Sequence, residues 1–238
     1  MLIWVMWQRI NVQKFLVILL AALLYNAKPL HACELALVLA VDVSGSVDPR
    51  EYQMQVQGLS AGIRDGIVSE ALVAANARIM LVQWTGSSRQ SVTLPWTKIT
   101  SFQDVDDFAR AIDGSDRAWR NFSTAIGEAL AFSMKQFELI PRCARQVIDI
   151  SGDGISNEGV APANVHAALR AADVSVNAIA IEGSEPDLTG YFWENVIVGP
   201  GAFVITATGY ADYGDKLRLK LRRETTKPVS MLRVEDLR

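Results

Sequence analysis

The sequence has 238 residues, of which 50% are hydrophobic and 21% are charged. These values exclude a disordered chain and suit one domain with a full hydrophobic core. The formal net charge of −3 argues against a nucleic acid as the partner, because such partners require a basic surface.

Residues 1–32 have the order of parts found in a secretory signal peptide: basic residues, then the unbroken apolar run 15–25, then a Lys-Pro pair and a small residue. Cleavage after Ala32 would leave a periplasmic or secreted bacterial protein with 20 basic and 26 acidic residues. Two alternatives stay open. The segment could remain as an uncleaved anchor, or Cys33 could carry a lipid, because residues 30–33 also resemble a bacterial lipobox. Only these alternatives predict a membrane association.

Beyond this segment, apolar runs alternate with helical patterns. The run Glu34–Val41 predicts a central parallel strand that is buried on both faces. A helix follows and extends to about residue 65, since Asp48 can act as its N-cap and Pro49 fits its first position. The other predicted strands are 78–84, 90–94, 146–150, 175–181 and 203–207, and the other predicted helices are 101–112, 124–137, 161–172, 187–196 and 211–224.

This alternation predicts an α/β fold, doubly wound, with a mostly parallel six-stranded sheet and helices on both faces. The strand 90–94 is expected to stop at Pro95 and to form a short antiparallel edge. The predicted domain covers residues 33–224, and 225–238 form a loose C-terminal tail. The basic stretch Lys216–Arg223 is interpreted as the solvated outer face of the last helix.

Five side chains with oxygen donors follow predicted strands or open a predicted helix. They are Asp42, Ser44, Ser46, Thr124 and Asp153. Ligands of open α/β sheets bind outside the carboxyl ends of the strands, so the loops 42–46, 121–124 and 151–154 could converge there. Oxygen donors without thiol or imidazole select Mg²⁺, Mn²⁺ or Ca²⁺. Taken singly, each piece has a simpler interpretation as a turn or a helix cap.

Together these residues resemble the metal-ion-dependent adhesion site of von Willebrand factor A domains. The matching elements are Asp42-Val43-Ser44-Gly45-Ser46, Thr124 five residues before Ala129-Leu130, and Asp153-Gly154, in that order. The resemblance covers roughly residues 34–224. It implies that the two serines and the threonine contact the metal directly, and that one or both aspartates act through water. Ser123 is an alternative direct ligand.

A closer resemblance is to a bacterial family of exported proteins of unknown function with this fold. The shared features are Cys33, Leu37–Val47, Gln83-Trp84, Cys143, Ile148–Gly154 and Gly199–Phe203. The implied fold places the two cysteines at the same end of neighbouring parallel strands, opposite the metal. It therefore implies a disulfide between Cys33 and Cys143, which would compete with lipidation of Cys33.

The adhesion-type site implies an open coordination position for an Asp or Glu carboxylate of an unidentified partner protein. Four residues in the loop before Thr124 are predicted to frame that ligand: Asp116, Arg117, Trp119 and Arg120. The G-x-S-x-G pattern of Gly58–Gly62 falls inside the predicted helix that extends to about residue 65, so it is not a strand-to-helix nucleophile elbow. The sequence contains no phosphate-binding glycine motif, so we expect a binding protein and not an enzyme. The alternatives are a structural or assembly domain with a vestigial metal site, and a metal-assisted hydrolase.

Overall fold

The computed structural model describes residues 33–183 and 185–226. The predicted signal peptide and residues 227–238 of the predicted tail lie outside these ranges. The described chain forms a six-stranded sheet with helices on both faces, which confirms the predicted fold class. Within the described ranges, no helix is long and apolar enough to cross a membrane.

The strands and helices are as follows. The strands are β1 (Leu35–Asp42), β2 (Arg78–Trp84), β3 (Gln90–Lys98), β4 (Arg145–Gly152), β5 (Val174–Ile181) and β6 (Val204–Ala207). The α-helices are α1 (Pro49–Ile63), α2 (Gly66–Ala74), α3 (Phe102–Asp113), α4 (Ile126–Gln136), α5 (His166–Ala171), α6 (Leu188–Asn195) and α7 (Tyr210–Thr225). Short 3₁₀ helices, Phe137–Leu139 and Pro162–Val165, adjoin α4 and α5.

The sheet order β3-β2-β1-β4-β5-β6 places a topological switch point beside the central strand. Neighbouring strands are parallel except for β2 and β3, which are antiparallel as predicted. The chain extends outwards from β1 to β3 and then adds β4 on the other side of β1. Ligands bind at such a point, outside the carboxyl ends of the strands. Here those ends are Asp42 of β1 and Gly152 of β4.

The core has two layers because successive residues of a strand face opposite sides of the sheet. All eight residues of β1 are buried. Leu37 packs with side chains of α1, α2, α3 and α7, whereas the next residue, Val38, packs with those of α4, α5 and α6. Val41 of β1 pairs with Ser151 of β4, so the loops that follow these two strands begin side by side.

Cys33 and Cys143 form a disulfide, as predicted, next to the amino ends of β1 and β4. Both residues are buried and their Cα atoms are 4.9 Å apart. The N–H of Ala144 donates to the carbonyl of Cys33 (3.1 Å), so the backbones of the two segments are also joined. A disulfide is typical of oxidising compartments and indicates an extracellular or periplasmic location. The Sγ of Cys33 is therefore occupied by Cys143 and not by a lipid.

Two predictions about local structure are wrong. β3 does not stop at Pro95 but continues to Lys98. The pairing of β2 with β3 shifts register between Ile79 and Leu81, and Pro95 has no partner in the ladder there. An edge strand with such an irregularity tolerates a residue that lacks an N–H donor. In addition, α2 forms a second helix directly after α1, capped by Asp65, which the sequence pattern did not indicate.

The interpretation of Lys216–Arg223 as a solvated basic face is wrong at Lys220, which is fully buried, whereas Arg218 and Arg223 are exposed. The Nζ of Lys220 lies 2.5 Å from Asp149 Oδ1 on β4 and 2.7 Å from Glu224 Oε1 on its own helix. Burial, followed by the charge of Asp149, raises the pKa of Glu224 to about 8. Two carboxyl groups thus surround the buried Lys220 side chain, so α7 is attached to the centre of the sheet by polar contacts.

Candidate metal centre

The segment 42–46, which we call the metal loop, begins at the last residue of β1 and turns tightly at the carboxyl ends of the central strands. The N–H of Ser44 donates to Asp42 Oδ1 (2.7 Å), and the N–H of Gly45 donates to the carbonyl of Phe122 (2.8 Å). A Cβ at Gly45 would lie 3.2 Å from that same carbonyl oxygen. Glycine therefore permits the close approach of the metal loop to the segment that leads to Thr124.

Asp153 meets the metal loop from the end of β4. Ser46 Oγ donates to Asp153 Oδ1 (2.6 Å), across 107 residues of sequence, and the hydroxyl oxygens of Ser44 and Ser46 are 3.2 Å apart. A Cβ at Gly152 would lie 3.2 Å from Asp42 Oδ2. The structure thus brings the Asp-x-Ser-x-Ser motif and the Asp-Gly motif together at the carboxyl ends of β1 and β4.

Thr124 lies two residues before α4 begins. It is not the N-cap of that helix: Ala125 occupies that position, and the N–H of Ile126 donates to Ser156 Oγ (3.2 Å). The N–H of Thr124 donates to Asn157 Oδ1 (2.9 Å), and its carbonyl accepts from the N–H of Asn157 (2.9 Å). Its hydroxyl oxygen is 4.0 Å from the position that a Cβ of Gly154 would occupy, so it lies next to the Asp-Gly motif.

One carboxylate oxygen of the site has no hydrogen-bond partner among the described residues, and its carboxyl group has a shifted pKa. Asp42 is fully buried, and its Oδ2 has no hydrogen-bond partner among the described residues. Burial, followed by the charge of Asp153, raises the pKa of Asp42 to about 7. Two nearby carboxylates and an unpaired buried oxygen are unfavourable unless a cation or a proton compensates them.

The donor set fits a hard divalent cation. Two carboxylates balance the charge of such an ion, and the hydroxyls of Ser44, Ser46 and Thr124 are neutral oxygen ligands. Among the described residues, no group of three or more His, Cys, Asp or Glu side chains is placed to hold a metal ion. A metal ion at this site would therefore depend on the serine and threonine hydroxyls as well as on the two carboxylates. Gly45 and Ser46 are exposed, so the site is open to solvent. Ser123, the alternative ligand, is exposed as well.

Three residues that the sequence motifs did not include contact the site. The hydroxyl of Tyr210, at the start of α7, donates to Asp153 Oδ2 (3.0 Å). Gln55 Nε2 of α1 donates to the carbonyl of Asp42 (3.2 Å), and Arg117 Nη2 donates to the carbonyls of the metal loop. None of them stands at a fixed spacing from Asp42 or Asp153, because each contact depends on how helices and loops pack in three dimensions.

The predicted rim lies beside the metal loop. Trp119 is partly buried against a small cluster that includes Val43 and Val47. Arg120 is exposed and lines a cleft of about 590 Å³ between α1 and the loop 113–120. Arg117 lines the same cleft, so the cleft adjoins the metal loop. His166 is buried, and that burial lowers the pKa of its imidazole.

The sequence profile of one family, "Protein of unknown function (DUF1194)", matches residues 32–229. No curated protein matches the sequence. Among solved structures, proximal thread matrix protein 1 from the mussel byssus is similar to 79% of this chain, with 17% identity and a TM-score of 0.60. The same mussel protein with a zinc-occupied MIDAS motif covers 80% of this chain, with 16% identity and a TM-score of 0.56.

A von Willebrand factor type A protein from Catenulispora acidiphila covers 83% of the chain, with 19% identity and a TM-score of 0.59. The aligned region is less than half of each of these proteins: 47% and 46% for the two mussel structures and 44% for the bacterial one. At such identities the likeness establishes the fold. The von Willebrand A-like fold predicted from the sequence is therefore confirmed.

Proposed function

The chain belongs to the DUF1194 family, and we propose that it is an exported domain that binds a partner protein through a divalent metal ion. The metal ligands in this proposal are Asp42, Ser44, Ser46, Thr124 and Asp153. The ion is Mg²⁺, or alternatively Mn²⁺ or Ca²⁺, and the partner supplies an Asp or Glu carboxylate. After removal of the signal peptide, the mature protein would consist of the predicted domain, 33–224, and the predicted C-terminal tail, 225–238.

The observation that carries the proposal is the convergence of two distant motifs around an unpaired carboxylate. The side chains of Ser46 and Asp153 are hydrogen-bonded to each other, and the neighbouring Asp42 Oδ2 is buried with no hydrogen-bond partner among the described residues. A turn or a helix cap would explain neither feature, because both require the ends of β1 and β4 to present oxygen atoms to the same point.

The chain's own residues determine what such a site can do. When bound, the metal ion supplies an electrophilic centre with room for one more oxygen ligand. Asp42 and Asp153 neutralise its charge, while the neutral hydroxyls leave it able to attract an incoming carboxylate. One such contact on an exposed surface gives modest affinity, so specificity requires surrounding surface, which Trp119, Arg120 and the adjoining cleft would provide.

The likeness to known proteins supports the same class of function. The mussel protein carries a zinc-occupied MIDAS motif on a similar fold. A pilus adhesin, SpaC from Lactobacillus rhamnosus GG, also shares the fold, with 11% identity over 83% of this chain and 31% of the adhesin, and a TM-score of 0.61. Such proteins favour a binding role over catalysis, in line with the expectation drawn from the sequence.

The test is a pull-down from a periplasmic extract with Mg²⁺ or with EDTA. Three baits are compared: wild type, Asp42→Ala, and Glu70→Ala. Glu70 is the matched control, because it is an exposed carboxylate on α2, outside the cleft, whose side chain makes no hydrogen bond with the described residues. We expect a partner that wild type and Glu70→Ala retain in Mg²⁺, and that EDTA or Asp42→Ala releases. Partners that survive both treatments would contradict a metal-dependent mechanism.

The same experiment separates the alternatives. If Mg²⁺ binds and stabilises the wild type but no partner depends on it, a structural or assembly role is the better description. If neither stabilisation nor partner binding responds to Mg²⁺ or to Asp42→Ala, the site is vestigial. Turnover of an ester or phosphodiester that requires both Mg²⁺ and Asp42 would favour the hydrolase.

A further inference from the structure

We infer that Arg117 is a positioning residue that holds the metal loop in the conformation needed for metal binding. The inference deepens the proposed function and rests on it for its metal. Arg117 is not itself a ligand in this account, because a guanidinium has no lone pair to offer to a cation.

The backbone carbonyls of the metal loop are held by side chains from two other elements. Arg117 Nη2 donates both to the carbonyl of Val43 (3.0 Å) and to that of Ser44 (2.7 Å). Gln55 Nε2, which is buried, donates to the carbonyl of Asp42 (3.2 Å). Three successive carbonyl oxygens are thus engaged by nitrogen donors, which leaves the side-chain oxygens as the ones available to a metal.

These contacts fix the orientation of the peptide groups that carry the candidate ligands. With the carbonyls of Val43 and Ser44 held on Arg117, the N–H of Ser44 reaches Asp42 Oδ1 and that of Gly45 reaches Phe122. A rotation of either peptide group would break one of these bonds and move the hydroxyl of Ser44. Loss of the hydrogen bonds from Arg117 would therefore change the position of the Ser44 hydroxyl.

Arg117 is itself held on a short, well-bonded segment. Gln83 of β2, which is buried, accepts from the N–H of Ala118 (2.8 Å) and donates to the carbonyl of Asp116 (2.9 Å). The peptide groups on both sides of Arg117 are thus attached to the sheet by one side chain. The result is a continuous link from β2 through Gln83 and Arg117 to the metal loop.

The charge of Arg117 makes the inference easy to test, because charge and positioning act in opposite directions. A positive guanidinium near the site repels a divalent cation, so its removal alone would tighten metal binding. Loss of a positioning contact instead weakens metal binding, typically by 10- to 100-fold for residues that orient metal ligands. The sign of the change therefore separates the two roles.

The experiment measures the affinity of the full chain for Mn²⁺ alone, by electron paramagnetic resonance, in wild type, Arg117→Ala, Arg117→Lys and Arg50→Ala. Arg50 is the matched control, since it is an exposed arginine four residues after the metal loop that does not line the cleft and makes no side-chain hydrogen bond with the described residues. We expect about 10- to 100-fold weaker binding for Arg117→Ala. Arg117→Lys keeps the charge but not the planar donor group, so its affinity for Mn²⁺ should also fall. Arg50→Ala should bind Mn²⁺ as tightly as wild type or slightly more tightly.

A second readout does not require metal. In EDTA, the amide hydrogens of Ser44 and Gly45 should exchange faster in Arg117→Ala than in wild type, and at the wild-type rate in Arg50→Ala. Thermal melting in EDTA shows whether each variant is folded, and Arg117→Lys carries the test if the alanine variant is not. Equal or tighter Mn²⁺ binding by the Arg117 variants would overturn the inference, as would unchanged exchange. If wild type binds no Mn²⁺, the proposed function fails, and the exchange rates alone decide the role of Arg117.

Discussion

Replacement of Gly127 by alanine should destabilise the protein even though alanine is the better helix former. Gly127 is the second residue of α4, where the loop 156–161 crosses the helix. A Cβ at this position would overlap the carbonyl oxygen of Val160 and would lie 2.9 Å from its carbonyl carbon. The usual separation of two carbon atoms in contact is about 3.5–4.0 Å. The backbone of the loop must therefore move by about 1 Å.

That movement affects hydrogen bonds on which the candidate site depends. The N–H of Val160 donates to Glu128 Oε1 (2.8 Å), and Asn157 Oδ1 accepts from the N–H of Thr124 (2.9 Å). The first involves a charged group and contributes about 1.5–3 kcal/mol, and the second contributes about 0.5–1.5 kcal/mol. Alanine recovers about 1 kcal/mol of helix propensity. The net loss is about 1–3.5 kcal/mol.

For a domain of this size, such a loss lowers the melting temperature by about 5–10 °C. Thermal unfolding followed by circular dichroism measures it. Gly66→Ala is the matched control, because Gly66 begins α2 and a Cβ there would meet no atom within 4 Å. We expect the control to melt at the wild-type temperature or slightly above it. If Gly127→Ala melts at or above the wild-type temperature, the described packing of the loop on α4 is wrong.

Three further predictions concern other contacts. Tyr210→Phe removes the donor to Asp153 and should weaken Mg²⁺ binding by about 10-fold in calorimetry without unfolding the chain; equal affinity would contradict a role for this hydroxyl. Burial and a neighbouring carboxylate raise the pKa of Glu224 to about 8, so the stability contributed by its protonated form is fully present below about pH 4.5 and is lost as the pH rises through 8. The melting temperature should therefore fall between pH 6 and pH 9, and less steeply in Glu224→Gln; parallel curves would contradict this. Cys33→Ser combined with Cys143→Ser should lower the free energy of unfolding in urea by about 2–5 kcal/mol, and an unchanged midpoint would mean that the disulfide does not form.

Much of the fold could be predicted because its central strands are buried on both faces. Such strands read as continuous apolar runs, as Leu35–Asp42 does, and the intervening helices show the apolar spacing of a surface helix. The convergence of the metal loop with Asp153 could also be anticipated, since parallel strands present their carboxyl ends at one edge of the sheet. That argument needs only strand order and no knowledge of side-chain packing.

The errors arise where a distant partner overrides the local pattern. Lys220 lies in a basic stretch that is typical of a solvated face, but Asp149, 71 positions away, makes its burial possible. Pro95 is tolerated because the neighbouring strand shifts its register there. The contacts of Tyr210 and Arg117 with the site likewise depend on the placement of α7 and of the loop 113–120, which no spacing in the sequence specifies.

The most direct test of the central claim is the titration of the purified chain with Mg²⁺, by isothermal calorimetry, in wild type and in Asp42→Asn. The asparagine preserves the shape of Asp42 and the acceptor for the N–H of Ser44, removes the negative charge, and replaces the buried, unpaired oxygen by an NH₂ group that cannot bind a cation. We predict one Mg²⁺ per chain for wild type and at least a tenfold loss of affinity in the variant. Absence of binding to wild type, or equal binding to both proteins, would contradict a metal centre at the ends of β1 and β4.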